Sequence, residues 1–497
     1  MNLDKIRTLG ALKRSGYQST GIREEMRINL IQALKLQKNV FEGIQGYDES
    51  VIPQLQTAIL SRHNIILLGL RGQAKTRLAR LMVNLLDEHV PIIAGSEMND
   101  DPLKPISRFA KDILAEKGDE TLISWLPRED RYTEKLATPD VSVADLIGDV
   151  DPIKAATLKL PYSDERVIHY GIIPRSHRCI FVINELPDLQ ARIQVSLFNI
   201  LQEGDIQIRG FKMRLPLDIQ FVFTANPEDY TNRGSIVTPL KDRIDSQILT
   251  HYPRSVVTSR TITEQESEIP FSQSETITIP SLLRDLIEQT AIEARESDLV
   301  DKKSGVSARL TISALENLYS TIELRMLLNG DLKGYARVND IYGILPSITG
   351  KVELVYEGEV EGIANVATML IGKSIRKHFS EIFPNPEKLK KSKQKNPFAE
   401  IVNWFNEGNT VDILQNANQK EYEKQLLYVK GLNDLVKSYF PRASRDEQLF
   451  MMEFVLHGLS EFSQLSKHKL ETGIQFKDLL GSIMNFGSVE EEETGLN

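Results

Sequence analysis

At 497 residues the chain is long enough for roughly two to four domains with substantial cores. Hydrophobic residues at 41% and charged residues at 26% are an ordinary globular balance, and a net charge of −9 argues against a chain that coats nucleic acid, leaving only local basic patches open to that role. The single cysteine, Cys179, excludes an internal disulfide; no apolar run reaches bilayer length, and Met1 to Gly10 carries no signal-peptide apolar region, so the chain reads as cytoplasmic.

Residues 1–36 predict a polar helical segment with Ile28, Leu30, Ile31 and Leu34 on one side. Phe41 to Tyr47 then reads as a turn with a hydrophobic staple before a helix. Ile65-Ile66-Leu67-Leu68 is short and wholly apolar, the pattern of one buried strand. Gly69-Leu70-Arg71-Gly72-Gln73-Ala74-Lys75-Thr76 follows, and Leu78, Leu81, Met82, Leu85 and Leu86 trace one face of a helix after it. A strand, a glycine loop and a helix opening on Lys-Thr form the layout of a phosphate-binding loop. Glycines let backbone N–H groups surround phosphate oxygens, and the helix N-terminus adds partial positive charge. Lys75 would reach the β- and γ-phosphates of ATP, and the Thr76 hydroxyl would hold Mg²⁺. Ala74 stands where the general pattern has its second glycine, which is tolerable if that residue has near-helical backbone angles. The alternative is a plain glycine turn with an incidental Lys-Thr.

Pro91 to Gly95 opens a long irregular region, with a short helix expected near Ile106 to Lys117 and a strand at Tyr132 to Leu136. Its length suggests a functional insertion. Cys179 then opens the run Ile180-Phe181-Val182-Ile183-Asn184-Glu185 and reads as a small core residue. The run predicts a central parallel strand with Asn184 and Glu185 at its carboxyl end, where open α/β sheets bind ligands. Phosphate hydrolysis needs a carboxylate there to orient the attacking water, which suits Glu185. Asn184 stands where an Asp usually touches Mg²⁺ through water, and an amide is the weaker ligand.

Ile193, Leu197, Ile200 and Leu201 trace a helix, and Gly204 to Leu215 reads as a hairpin with basic Arg209, Lys212 and Arg214. The strand Ile219 to Phe223 ends in Thr224-Ala225-Asn226-Pro227, placing Asn226 at the same sheet edge as Glu185; a turn-forming Asn before Pro is the other reading. Arg243, in Leu240-Lys241-Asp242-Arg243, would by itself be a surface ion-pair partner. Residues 253–280, rich in Ser, Thr and Glu, read as a linker. Helices resume at Leu282 to Arg295 and after Ser307, a candidate N-cap that puts Arg309 in a first turn, where an outside anion would compensate the misfit with the helix dipole. Pro384 to Pro397, with Lys388, Lys390, Lys391, Lys393 and Lys395, reads as a solvated basic linker. Phe398 to Phe486 reads as a separate helical domain, and Glu490 to Glu493 as a disordered acidic tail.

Together, these residues resemble the AAA+ ATPases, within them the magnesium chelatase subunit I and MoxR group, over roughly residues 37–380. MoxR-type proteins carry Ala before the loop Lys, as at Ala74. Leu136 to Asp140 and Leu146 to Asp151 look like the segment entering the group's insertion in the second helix, and Gly171 to Arg175 like its exit. The Gly204 to Leu215 hairpin resembles the insertion before the first sensor. In family terms Asn226 matches sensor 1, Arg243 the arginine finger supplied to a neighbouring subunit, and Arg309 sensor 2. Ile44 and Tyr47 match the segment that often lines the adenine pocket, with the staple-and-turn reading still open. The group's strand ends in Asp-Glu, so Asn184 is a departure.

The expected fold is therefore α/β: an AAA+ P-loop domain with a parallel sheet at residues 37–255, after the helical segment 1–36. A helical lid at 256–384, a basic linker at 385–397 and an all-helical C-terminal domain at 398–497 follow. The resemblance implies an ATPase with ATP and Mg²⁺ as cofactors, working as a ring of its own copies, a hexamer in expectation. It also implies remodelling of a client protein, in this group often one with a von Willebrand factor A domain. Three rivals stand beside it: the motor of a metal chelatase acting on a porphyrin, although the eight histidines form no ligand cluster; a DNA-acting AAA+ protein using Arg209, Lys212 and Arg214; and a nucleotide-sensing scaffold that does not hydrolyse, because of Asn184.

Overall fold

Four consecutive apolar residues cannot alternate between core and solvent, and the computed structural model buries all four of Ile65–Leu68 as strand β1. The structure describes residues 3–162, 164–206, 208, 211, 214–227, 235–391 and 396–479. They divide into two compact units, Met1–Tyr252 and Pro253–Asn497.

In the first unit β1 joins β2 (Tyr132–Leu136), β3 (Ile180–Asn184), β4 (Gln220–Ala225) and β5 (Ser246–Leu249). The five form one parallel sheet in the order β5-β1-β4-β3-β2. Register sets Leu68 beside Ala225 and Leu249, and Leu136 beside Asn184, so the strands' carboxyl ends share one edge. Alternate residues feed opposite layers. Ile65 and Leu67 pack with helices α1 (Ile22–Lys35), α2 (Val51–Leu60) and α3 (Lys75–Leu81), whereas Ile66 and Leu68 pack with Phe181, Phe223, Ile193 and Ile200.

The buried stripe of α1 is Ile22, Met26, Leu30 and Ala33, and Ile28 and Leu34 are exposed, which corrects the face expected from sequence. The apolar residues Ile22, Met26, Leu30 and Ala33 lie on one helical face of their own. Glu25 shares the buried face because Arg131 meets it there with two charge-assisted bonds, NH1 to Oε1 at 2.6 Å and NH2 to Oε2 at 2.7 Å. Arg131 Nε also donates to the Arg178 carbonyl at 2.9 Å, and the guanidinium is 1% exposed. Glu25→Ala would strand a buried cation, a loss of about 3–5 kcal/mol. The first transition of the full chain in a urea titration should move to clearly lower denaturant; Glu25→Gln, which keeps one acceptor, should move less.

In the second unit, residues 253–280 are not a linker. They contain α4 (Val256–Glu266) and a short helix, Phe271–Thr276. Ser255 caps α4 by accepting the Thr258 N–H at 3.1 Å. Ser259 and Thr263 are buried, bonded to Glu288 at 2.5 Å and Thr311 at 2.7 Å. The polar composition that suggested a linker instead packs α4 against α5 (Ser281–Glu296) and α6 (Arg309–Asn329). The cap of α6 is Ala308, not Ser307, though Ser307 Oγ still accepts the Arg309 N–H at 3.1 Å.

Pro386–Lys391, within the expected basic linker, is helical; Lys393, Lys395 and Glu490 to Glu493 lie outside the described residues. One apolar core joins α6, α7 (Ile363–Ile382) and α8 (Arg445–Glu461), running from Ile277 to Phe476. A buried carboxylate reinforces it: Glu453 accepts from Val338 N at 2.8 Å, Asn339 N at 2.9 Å and the Tyr422 hydroxyl at 2.7 Å. The C-terminal part is mostly helical but also carries an antiparallel sheet, β6 (Val411–Leu414), β7 (Ser466–Leu470) and β8 (Gly473–Lys477), ordered β6-β8-β7. Among the described residues no helix is long and apolar enough to cross a membrane.

Candidate phosphate site at the sheet edge

The loop after β1 is held from three directions. Gly69 donates its N–H to the Ala225 carbonyl at 3.1 Å, tying the loop to the end of β4. A Cβ on Gly69 would come within 1.8 Å of Thr250 Oγ1, so a larger residue would push the Thr250 and Gln73 side chains out of their contact. Thr250 Oγ1 meets Gln73 Oε1 at 2.7 Å, Tyr252 donates its hydroxyl to the Arg71 carbonyl at 2.9 Å, and the Tyr47 hydroxyl sits between the Gln73 and His251 carbonyls, at 2.9 and 2.8 Å. Burial pushes the Tyr47 phenol up to about 12, so it stays a neutral donor. Both Ile44 and Tyr47, the residues matched to an adenine-lining segment, are buried in the core.

Gly72 has φ +74, and Ala74 also lies in the left-handed region, at φ 56, ψ 18. This corrects the near-helical backbone expected for Ala74. Its methyl costs roughly 1–2 kcal/mol there, and strain of this kind clusters at working sites. Glu185 is a second case on the same edge, at φ 55, ψ 52. Lys75, 8% exposed, points its Nζ into the loop, 2.5 Å from the Gly69 carbonyl and 3.1 Å from that of Leu70.

Thr76, at the start of α3, donates its hydroxyl to Asn184 Oδ1 at 3.4 Å, so loop and strand β3 meet. Asn226 follows β4, is 4% exposed, and its Oδ1 has no hydrogen-bond partner among the described residues. A buried orphan acceptor is rare and calls for a ligand or water. Lys75, Thr76, Asn184, Glu185 and Asn226 therefore all sit at the sheet's carboxyl edge, in agreement with the sequence pattern. Arg243 lies just before β5. Its Nε and NH2 donate to Gln202 Oε1 at 3.0 and 2.9 Å, its NH1 to the Pro239 carbonyl at 2.7 Å, and it stacks 5.2 Å from the Phe198 ring centre. Arg309 is exposed and belongs to the second unit.

The two ends of the expected insertion meet. Gly148–Val150 pairs antiparallel with Ile168–Tyr170, and Gly171 donates to the Ile147 carbonyl at 3.0 Å. Between them, helix Pro152–Leu158 exposes Ile153 and Leu158. The expected hairpin keeps a rung, Asp205–Ile206 with Leu215–Pro216; Arg209 and Lys212 lie outside the described residues, and Arg214 pairs with Asp205 at 3.4 Å. Cys179 is buried and free, its thiol pushed up to about 12 by burial, which makes it inert. Sequence reasoning missed Thr224, Thr250 and Tyr252. Only Thr224 left a signal, as the residue two before Asn226 on the same strand. Among the described residues no group of His, Cys, Asp and Glu is arranged to hold a metal by itself, so a Mg²⁺ here would depend on phosphate oxygens.

No family model matches the chain. Solved structures to which it is similar include NtrX from Brucella abortus in complex with ADP, at 12% identity over 73% of this chain and 71% of that one, with a TM-score of 0.36. A RuvB variant from Thermotoga maritima is 10% identical over 77% of this chain and 96% of that one, with a TM-score of 0.35. A complex of the magnesium chelatase subunits BchI and BchD, from a cryo-EM reconstruction, contributes a chain 18% identical over 64% of this chain and 98% of that one, with a TM-score of 0.33.

Proposed function

We propose that the first unit binds ATP with Mg²⁺ and hydrolyses it, as an AAA+ motor of the magnesium chelatase subunit I and MoxR type. The observation that carries this reading is the convergence at one sheet edge of a glycine loop with a buried lysine, the Thr76–Asn184 contact, Glu185 next after strand β3 and the orphan Asn226 oxygen. The residues fit the group. Backbone N–H groups and Lys75 would take the phosphates, and Thr76 with Asn184 would supply oxygens for Mg²⁺. When bound, Mg²⁺ neutralises charge on the phosphate oxygens. Glu185 orients and polarises the attacking water. Asn226 holds that water through its free oxygen or donates to the γ-phosphate through its amide.

Ring assembly, Arg243 acting on a neighbour's nucleotide, Arg309 as the lid's reporter and a von Willebrand factor A domain client belong to the same proposal. The exposed Ile153 and Leu158 of the inserted helix suit client contact. A second reading, a sensor that binds ATP without cleaving it, rests on Asn184 in place of a carboxylate. Phosphate release against Mg²⁺ separates the two. Wild type should turn over slowly, and Glu185→Gln should bind ATP normally and turn over at least about 10²-fold more slowly. Equal, negligible turnover in both proteins, with ATP bound, would replace the motor with the sensor.

A further inference from the structure

An Asp at position 184 would present oxygen to Mg²⁺ whichever way its carboxylate turned. An Asn does not: rotated by half a turn, it presents N–H groups, which repel a cation. Something must choose the orientation, and the structure shows a group placed to do so. Thr224 is 1% exposed and lies in β4, next after Phe223, which pairs with Ile183 of β3. On its other side it pairs with Leu67 of β1, the strand that leads into the phosphate loop. Its hydroxyl donates to Asn184 Oδ1 at 3.1 Å and accepts the Glu185 N–H at 3.2 Å. Asn184 Oδ1 also receives the Thr76 hydroxyl at 3.4 Å.

The hydrogen bonds favour one orientation. A buried hydroxyl must place its proton. One lone pair of Thr224 already takes the Glu185 N–H, and its proton goes to the amide oxygen. A flipped Asn184 would turn its N–H groups toward the Thr224 and Thr76 oxygens and oblige both hydroxyl protons to find other acceptors.

We propose that Thr224 is a positioning residue: its hydroxyl takes one lone pair of Asn184 Oδ1 and keeps the other, which the longer Thr76 contact occupies here, turned to the side where Mg²⁺ or its water would take the place of the Thr76 proton. It holds the carbonyl toward Thr76, and by the same hydroxyl it steadies the backbone of Glu185 in its left-handed conformation. Asn184 is thereby not a lost carboxylate but half of an Asn–Thr pair. This rests on the nucleotide reading above.

The test is a double-mutant cycle on the full chain, read as ATP binding by calorimetry across a Mg²⁺ titration. With Asn184 present, Thr224→Val, which has the same shape without the hydroxyl, should raise the Mg²⁺ concentration for half-maximal binding about 3- to 10-fold, the size of one hydrogen bond. Thr224→Ala, run beside it, should behave the same way, and Thr224→Ser should stay within about twofold of wild type. In an Asn184→Asp background, where either oxygen serves, Thr224→Val should shift the requirement by less than about twofold. Equal shifts in both backgrounds, or no shift with Asn184 present, overturn the pairing and leave ATP binding standing. Failure of wild type to bind ATP with Mg²⁺ overturns both.

Discussion

Lys75→Ala should abolish ATP binding measurable by calorimetry. The ammonium is nearly buried, and its two loop carbonyl contacts, Gly69 at 2.5 Å and Leu70 at 3.1 Å, fix it inside the ring of residues that would surround the phosphates. Arg71 is exposed at the loop's outer surface, so Lys75 is the cation placed within the loop itself. Charge-assisted hydrogen bonds contribute about 1.5–3 kcal/mol each, and an ammonium shared between two phosphates makes more than one. A loss of at least about 10²-fold in affinity follows. The loop's anchors, Tyr47, Thr250 and Tyr252, do not involve the Lys75 side chain, so the thermal midpoint without nucleotide should change little. Unchanged ATP affinity in a folded Lys75→Ala protein would remove the phosphate-loop assignment.

Arg243→Ala should bind ATP and hydrolyse it about 10³-fold more slowly, as removal of an arginine finger does. Three hydrogen bonds and the Phe198 ring hold the guanidinium in one orientation, on a segment anchored beside β5. Holding a cation in advance is what lets it stabilise transition-state charge without reorganising. In the proposed ring, mixing Arg243→Ala with Lys75→Ala should restore part of the activity, because some interfaces would then pair an intact loop with an intact Arg243. Mixed assemblies that show no recovery at any ratio would place Arg243 outside the site. Gln202→Ala offers a finer check: it loosens the guanidinium without removing it and should lower the rate by a smaller factor.

Much of the sheet edge is legible in the order of residues. The run Ile65–Leu68, the loop Gly69 to Thr76, the strand ending in Asn184-Glu185 and the strand ending before Asn226 are local patterns. A parallel strand buried on both faces is mostly apolar, and open α/β sheets bind their ligands at the strands' carboxyl ends. Local spacing therefore suffices to place these residues. Expectation and structure part where a local pattern is overruled by a distant partner. Glu25 can face inward on α1 only because Arg131, far off in the chain, meets it there. Residues 253–280 look like a linker by composition, yet their hydroxyls find Glu288 and Thr311 and fold into a packed helix.

By itself the sequence determined the β1–loop–α3 unit and the strand ends that carry Asn184, Glu185 and Asn226, since spacing and residue type dictate each of these. Tertiary structure alone decided the left-handed backbone of Ala74 and Glu185, the seating of Gly69 against Thr250, and the Thr224 hydroxyl shared between Asn184 and Glu185. The physical reason is that a hydrogen bond between neighbouring parallel strands depends on register and on which face each side chain takes. Both are set by the packing of the whole sheet, and no short stretch of the chain records them.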